Sequence, residues 1–320
     1  MLAYRLEEAG TAPNLVTLPL PEPAKGELRV RIAACGLNFA DILMIKGQYQ
    51  DTPATPFTLG MELAGWVDAV GEGVEGFTEG MRVAVFGGQG GLAEYGCFPA
   101  NRAVPLPETL SMEEAAALQI AYGTTHLALD HRARLQPGET LLVTGAAGGV
   151  GLTAVEVGKL MGARVIACAR GTEKLDIARK AGADELVDAE TPDLREAFKA
   201  LGGADVVYDA VGGAQWTAAF RTARPEARLL PIGFASGEVP QIPANHLLVK
   251  NLTVIGLYWG GYLKFRPEVL TESLATLMRW HTEGRIKPHI SNILPLAETA
   301  EGLELLRSRK ATGKVIITMP

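Results

Sequence analysis

Seven small residues near the middle of the chain have the composition of an anion-binding loop. They are Gly145, Ala146, Ala147, Gly148, Gly149, Val150 and Gly151. An apolar run of strand type at residues 141–143 precedes them and a helical pattern at residues 152–161 follows, which is the order that a dinucleotide-binding loop requires. Small residues let a pyrophosphate approach the backbone, where N–H groups and the positive end of the helix can hold it. The loop therefore predicts a bound dinucleotide.

Two cations follow the second predicted strand of this region. In enzymes that select NAD, an acid lies about twenty residues beyond the glycines and binds the ribose hydroxyls. That position is Ala169 here, followed by Arg170 and, one turn into the next helix, Lys174. Without a competing acid, the two cations can bind a 2′-phosphate. The sequence predicts NADPH as the cofactor; the alternative is that both are solvated surface charges, with Glu173 between them.

Strand and helix patterns alternate from residue 139 onward, which predicts an α/β fold with a doubly wound, six-stranded parallel sheet. The predicted strands lie at residues 141–144, 164–169, 185–187, 205–209, 228–232 and 252–257. Such sheets bind ligands at the carboxyl ends of their strands. Further cofactor-binding candidates therefore follow the last three strands, namely Val211 and Gly212, Gly233 and Phe234, and Leu257 and Tyr258. For Tyr258, packing in the core is an equal alternative.

The first third of the chain has a different pattern. Short strands at residues 27–32, 62–70 and 82–86 are separated by glycine-rich turns, which indicates a β-rich domain that ends at about residue 105. After the alternating region, the pattern predicts helices at residues 265–281 and 299–308 and a last strand at residues 313–318.

Composition narrows the function classes. Hydrophobic residues make up 48% of the chain, the formal net charge is −6 and the basic residues are scattered, so nucleic-acid and membrane partners are not expected. The cysteines, Cys35, Cys97 and Cys168, form no CxxC pair, which favours a reducing compartment. No signal-peptide pattern or membrane-spanning run is present. We expect a soluble, cytoplasmic protein.

Three segments of the first domain carry a resemblance to a known superfamily. Residues 34–41 (ACGLNFAD), 56–67 (PFTLGMELAGWV) and 70–83 (VGEGVEGFTEGMRV) resemble the medium-chain dehydrogenases/reductases. Asn38 and Met61 stand where zinc alcohol dehydrogenases of that superfamily have a cysteine and a histidine, and an amide and a thioether are poor zinc ligands. Asparagine at this position resembles the zinc-independent quinone oxidoreductase (zeta-crystallin-like) family, so we expect no metal.

The resemblance implies two domains. Residues 121–258 would form a Rossmann-type dinucleotide-binding domain, and residues 1–120 and 259–320 a discontinuous GroES-like catalytic domain. It also implies that Thr124 lines the cofactor, that Tyr49 lies by the substrate and that the protein is a homodimer. The residues themselves allow other roles: Thr124 could satisfy a helix start, Asn38 could be a helix N-cap and Tyr49 could pack within its loop.

These inferences together predict an NADPH-dependent, zinc-free reductase that passes hydride or electrons to a quinone or an α,β-unsaturated carbonyl. Asn38 and Tyr49 are the predicted catalytic residues, because without zinc the acceptor carbonyl must be polarised by hydrogen-bond donors. Two alternatives remain open. One is an enoyl-thioester (acyl-CoA) reductase on the same fold, and the other is a non-catalytic NADPH-binding protein with a structural or regulatory role.

Overall fold

A computed structural model describes all 320 residues, which form two compact units. The split unit comprises Met1–Ile120 and Lys287–Pro320, and the central unit comprises Ala121–Ile286. None of the helices combines the length and the apolar character that a bilayer crossing requires.

The sixteen strands and ten α-helices are numbered along the chain. The strands are β1 Leu2–Leu6, β2 Asn14–Thr17, β3 Glu27–Gly36, β4 Phe57–Thr58, β5 Glu62–Val70, β6 Arg82–Phe86, β7 Tyr95–Pro99, β8 Ala103–Pro105, β9 Thr140–Thr144, β10 Arg164–Ala169, β11 Glu185–Asp188, β12 Ala204–Asp209, β13 Ala223–Pro231, β14 Thr253–Val254, β15 Ile290–Pro295 and β16 Lys314–Thr318. The helices are α1 Phe39–Ile45, α2 Met112–His126, α3 Gly149–Leu160, α4 Thr172–Lys180, α5 Leu194–Ala200, α6 Gly213–Thr222, α7 Ala244–Lys250, α8 Tyr262–Phe265, α9 Pro267–Thr282 and α10 Thr299–Arg307.

The central unit is built on a six-stranded sheet with the order β11-β10-β9-β12-β13-β14. All of its neighbouring strands are parallel. The chain adds β10 and β11 on one side of β9 and then crosses to place β12 on the other, so the strand order reverses between β9 and β12. Every residue of β9 is buried, as expected for a strand covered on both faces. The predicted doubly wound α/β sheet is confirmed.

Two elements differ from what the sequence pattern indicates. The pattern indicates one helix up to residue 120 and a second from about residue 123 to residue 132, whereas the structure has one helix, α2, which continues as a π-helical turn over Leu127–Arg132. Glycine is required at position 123 of this helix because the indole of Trp259 packs against it, and a Cβ there would lie 2.7 Å from Trp259 Nε1. The sixth strand, expected over residues 252–257, is limited to the two residues of β14.

The split unit contains the β-rich region that the sequence predicts. Its larger sheet has seven strands, with β15-β16-β3-β5-β6-β8 in order and β7 also paired with β3. A smaller sheet has the order β2-β1-β4. The C-terminal strand β16 pairs antiparallel with β3, where Ile317 lies opposite Cys35. The tail of the chain therefore completes the sheet that begins near the N-terminus.

The second boundary between the units differs from the expected one. The resemblance implies a return to the catalytic domain at residue 259, whereas the split unit resumes at Lys287. Helix α9 belongs to the central unit because it packs on the end of α2. Its Ser273 hydroxyl hydrogen-bonds His126 Nδ1 at 2.9 Å, and its Trp280 ring meets the His126 ring edge-on at 5.1 Å.

Candidate functional site

The glycine-containing loop connects β9 to α3 at the carboxyl edge of the central sheet. Gly145 has a φ of +62°, which glycine adopts without strain. The first hydrogen bond of α3 runs from Leu152 N–H to Gly148 O at 2.8 Å. The N–H groups of residues 149–151 come before it, in the first turn, where N–H groups have no acceptor within the helix. Gly151 packs on the turn so closely that a Cβ would lie 2.1 Å from Gly145 O. This geometry leaves a backbone surface suited to an anion.

Asp209, at the end of β12, attaches the neighbouring loop to this turn. Its buried carboxylate accepts hydrogen bonds from the Thr144 hydroxyl and from Gly212 N–H at 2.9 Å. Burial raises the pKa of Asp209, and the Thr144 and backbone bonds oppose that rise. The attachment brings Val211 against Gly145, since a Cβ on Gly145 would lie 3.0 Å from Val211 Cγ2.

The loop after β13 joins the same edge. Gly233 N–H donates to Asp209 O at 3.2 Å, and Ser236 N–H donates to Val211 O at 2.8 Å. The structure thus brings together the predicted residues of three loops, namely Gly145 to Gly151, Val211 and Gly212, and Gly233. Phe234, on the third loop, is 42% exposed and is available for contact.

The remaining predicted residues of this edge lie near α2. Thr124 is buried in the interior of α2, so the alternative that it satisfies a helix start is wrong. Its neighbour Thr125 bonds the hydroxyls of Thr153 at 2.7 Å and Tyr208 at 3.0 Å. The segment with Leu257 and Tyr258 follows β14 and is half-buried. The next residue, Trp259, packs against Gly123, which directly precedes Thr124 in the sequence.

The predicted cations follow β10, and the end of the neighbouring strand β11 brings to the same region two carboxylates that the sequence did not indicate. Arg170 is exposed, and its Nε lies 3.4 Å from Glu190 Oε1. Lys174 is half-buried on the first turn of α4. Asp188 lies opposite Ala169 in the parallel register of β11 and β10. Local sequence pattern cannot find these two carboxylates, because only strand pairing brings Glu190 to Arg170 and Asp188 to the N–H of Gly171.

In the split unit, Asn38 is the N-cap residue of α1, as the alternative role predicted. Its backbone N–H donates to Asp41 Oδ2 at 2.8 Å. Its side-chain Nδ2 donates to Gly36 O at 3.2 Å and to Glu62 Oε1 at 2.9 Å. Both amide hydrogens are therefore engaged, and one of these bonds must open before Asn38 can donate to another acceptor.

Lys314 holds the other side of the Asn38 amide. Its buried ammonium donates to Glu62 Oε1 at 2.7 Å, to Asn38 Oδ1 at 2.9 Å and to Leu37 O at 2.8 Å. The second Glu62 oxygen accepts Ile120 N–H at 2.8 Å. Sequence reasoning missed this pair, although one signal was available: each charge opens a strand whose next residues are apolar, β5 or β16.

Tyr49 lies in the loop after α1 and is half-buried against the apolar cluster that contains Ile42, Met44 and Met61. Its carbonyl oxygen accepts the Thr52 hydroxyl at 2.6 Å. Tyr49 therefore does pack within its region, as the alternative role predicted. Its predicted role beside a substrate stays a prediction.

Comparisons with known proteins match both units. A family model described as the alcohol dehydrogenase GroES-like domain matches residues 24–108, and one described as zinc-binding dehydrogenase matches residues 149–278. Quinone oxidoreductase-like protein 2 of Bos taurus is 41% identical over 312 residues, which are 96% of this chain and 89% of the relative.

Solved structures give the same picture. The quinone oxidoreductase of Thermus thermophilus, solved also in its complex with NADPH, is 38% identical with a TM-score of 0.87 and covers 99% of this chain and 100% of its own. The quinone oxidoreductase of Escherichia coli complexed with NADPH is 30% identical with a TM-score of 0.90 and covers 99% of each chain.

One matching family is described as zinc-binding, so we compared the side chains at positions 38 and 61 with the ligands that zinc requires. Asn38 Oδ1 faces the ammonium of Lys314 at 2.9 Å, and Met61 is buried in the apolar cluster. No group of three or more His, Cys, Asp and Glu side chains is placed to hold a metal ion. The donor set does not fit zinc, because a cation already faces the oxygen at the ligand position and the remaining groups are poor ligands.

We expect Lys314→Met to lower the free energy of unfolding by about 3–5 kcal/mol, because it leaves the Glu62 charge buried without its partner. Lys310→Met, at an exposed position, is the matched control and should change it by less than about 0.5 kcal/mol. Urea denaturation measures both. Adding Glu62→Gln to Lys314→Met should recover part of the lost stability. If Lys314→Met alone were as stable as Lys310→Met, the proposed role of the ion pair would be contradicted.

Asp41 should make stability depend on pH. Burial raises the pKa of its carboxyl from 3.8 to about 6, so the folded state favours the protonated form. The stability contribution of Asp41 is then fully present below pH 3.8 and decreases by about 3 kcal/mol as pH rises through about 6. An asparagine side chain does not titrate, so the stability difference between wild type and Asp41→Asn, measured by urea denaturation from about pH 4 to about pH 7.5, isolates this effect. A constant difference would refute it.

Proposed function

This chain belongs to the quinone oxidoreductase family of the medium-chain dehydrogenases/reductases, and on that premise we propose that it is an NADPH-dependent, zinc-free reductase. It passes hydride or electrons from NADPH to a quinone or an α,β-unsaturated carbonyl. The observation that carries the proposal is the convergence of the loops after β9, β12 and β13 at one edge of the central sheet, joined through Asp209.

The proposed cofactor site follows from this edge. The N–H groups at the start of α3 suit the pyrophosphate, since a helix N-terminus favours anions. Val211, Gly212, Gly233 and Phe234 would border the dinucleotide, with Thr124, Leu257 and Tyr258 at its nicotinamide side. Arg170 and Lys174 would bind the 2′-phosphate by charge-assisted hydrogen bonds. NADPH supplies the hydride when bound, and the protein supplies its placement.

On the acceptor side, we propose Asn38 and Tyr49 as the donors that polarise the carbonyl. Of the two bonds from Asn38 Nδ2, the longer one to Gly36 O, at 3.2 Å, is the one that an acceptor oxygen could replace. Lys314 and Glu62 would hold the amide in place meanwhile, because each bonds one end of it.

A homodimer and a cytoplasmic location stay predictions. The homodimer is supported by the two-residue strand β14, which ends the central sheet, and by α7, on which Leu248 is 77% and Val249 is 70% exposed. An exposed sheet edge beside apolar side chains is a surface that a second copy can cover.

The glycine loop gives a prediction that separates binding from folding. Gly151→Ala should lose both NADPH affinity and stability, because its Cβ would lie 2.1 Å from Gly145 O. Gly148→Ala should keep its stability, since its Cβ meets nothing closer than 3.4 Å, but should weaken NADPH binding by about tenfold or more by blocking approach to the backbone.

Gly256→Ala, where nothing lies within 4 Å of the added carbon, is the control and should change neither property. Thermal unfolding and NADPH fluorescence titration report the two properties separately. Wild-type affinity in Gly148→Ala would argue against this loop as the cofactor site.

Stopped-flow mixing with a simple quinone tests the reaction itself. Oxidation of NADPH should exceed that of NADH by about tenfold or more, because only NADPH carries the 2′-phosphate that Arg170 and Lys174 can bind. A panel of alkenals and acyl-CoA thioesters is run alongside. Turnover confined to acyl thioesters would favour the enoyl-thioester reductase, and tight NADPH binding without any turnover would favour a non-catalytic role.

A further inference from the structure

We infer that Glu190 sets how strongly the protein prefers NADPH over NADH, by occupying the Arg170 guanidinium that would otherwise bind the 2′-phosphate. This inference rests on the proposed function. Glu190 is a positioning residue in this account, since it acts on the cofactor through Arg170.

The contact arises from the pairing of two strands. Arg170 directly follows Ala169, the last residue of β10, and Ala169 lies opposite Asp188 at the end of β11. Glu190 comes two residues later, and its Oε1 lies 3.4 Å from Arg170 Nε. The acid therefore reaches the cofactor edge from the neighbouring strand and not from the strand that usually carries it.

The backbone of Glu190 is bound to the loop that carries Arg170. Asp188 Oδ1 accepts the N–H of Gly171 at 3.3 Å and that of Glu190 at 3.0 Å. In addition, Ala189 N–H donates to Ala169 O at 2.9 Å. An ordinary surface ion pair depends on two flexible side chains alone. Here, three hydrogen bonds from backbone N–H groups hold the segment that carries Glu190 against the segment that carries Arg170.

The pair is exposed, with 57% of the Arg170 side chain and 68% of the Glu190 side chain accessible. Exposed pairs are weak and exchange readily, so a phosphate carrying nearly two charges can displace the carboxylate. Displacing the carboxylate from the guanidinium costs free energy, and that cost is subtracted from the binding of the 2′-phosphate. NADH carries no 2′-phosphate, so Glu190 has little effect on its binding. The result is a smaller preference for NADPH than Arg170 and Lys174 would give by themselves.

Removing the acid should therefore raise NADPH affinity selectively. We expect Glu190→Gln to lower the NADPH dissociation constant by about three- to tenfold at low salt and to leave that of NADH within about twofold. Isothermal titration calorimetry of the full chain measures both constants without turnover. Glu196→Gln, which removes an exposed carboxylate paired with Lys199 on α5, is the control and should leave the ratio unchanged.

A double variant tests whether the effect passes through Arg170. Arg170→Gln should weaken NADPH binding, and adding Glu190→Gln to it should give about twofold or less further change. An unchanged cofactor ratio in Glu190→Gln, or a full effect in the Arg170→Gln background, would overturn this inference while the wild type still binds NADPH. A wild type that binds neither cofactor would overturn the proposed function and this inference with it.

Discussion

The ion pair between Lys314 and Glu62 joins four parts of the split unit that lie far apart in sequence. Lys314 is the first residue of the C-terminal strand, and Glu62 opens β5. Through their hydrogen bonds the two charges also reach Asn38 before α1 and Ile120 in α2. Removing two charges from water is expensive, and the structure compensates by giving each charge several polar partners. One contact, the Lys314–Glu62 ion pair, consequently holds both the last strand of the chain and Asn38, which is the N-cap of α1 and the amide at the predicted acceptor site.

The sheet of the central unit was predictable because its strands are local apolar runs and its helices have their own periodicity. The glycine loop was predictable for the same reason, since its neighbours in sequence are also its neighbours in space. Prediction failed where a distant residue decides the local structure. Gly123 lies inside α2, where Trp259 occupies the space that a Cβ would fill, and α9 joins the central unit through its contacts with His126.

The candidate site also contains residues that could be predicted from the sequence and partners that could not. Residue type and spacing indicated Arg170, and the family resemblance indicated Asn38, but their partners Glu190 and Lys314 are 20 and 276 residues away along the chain. Strand register brings Glu190 to Arg170, and β16 brings Lys314 to Asn38 by pairing with β3. A pattern can show that a side chain is able to donate or accept a hydrogen bond. Only the fold shows whether that capacity is already used, as it is for the amide of Asn38.

The Lys314 contact also restricts which sequences can be reached from this one by single substitutions. A cysteine at position 38 would place a metal-binding group beside the buried ammonium of Lys314, which lies 2.9 Å from the present Asn38 Oδ1 and would repel the incoming cation. Replacing Lys314 first would leave Glu62 buried without a counter-charge. Each of these single substitutions is therefore unfavourable by itself.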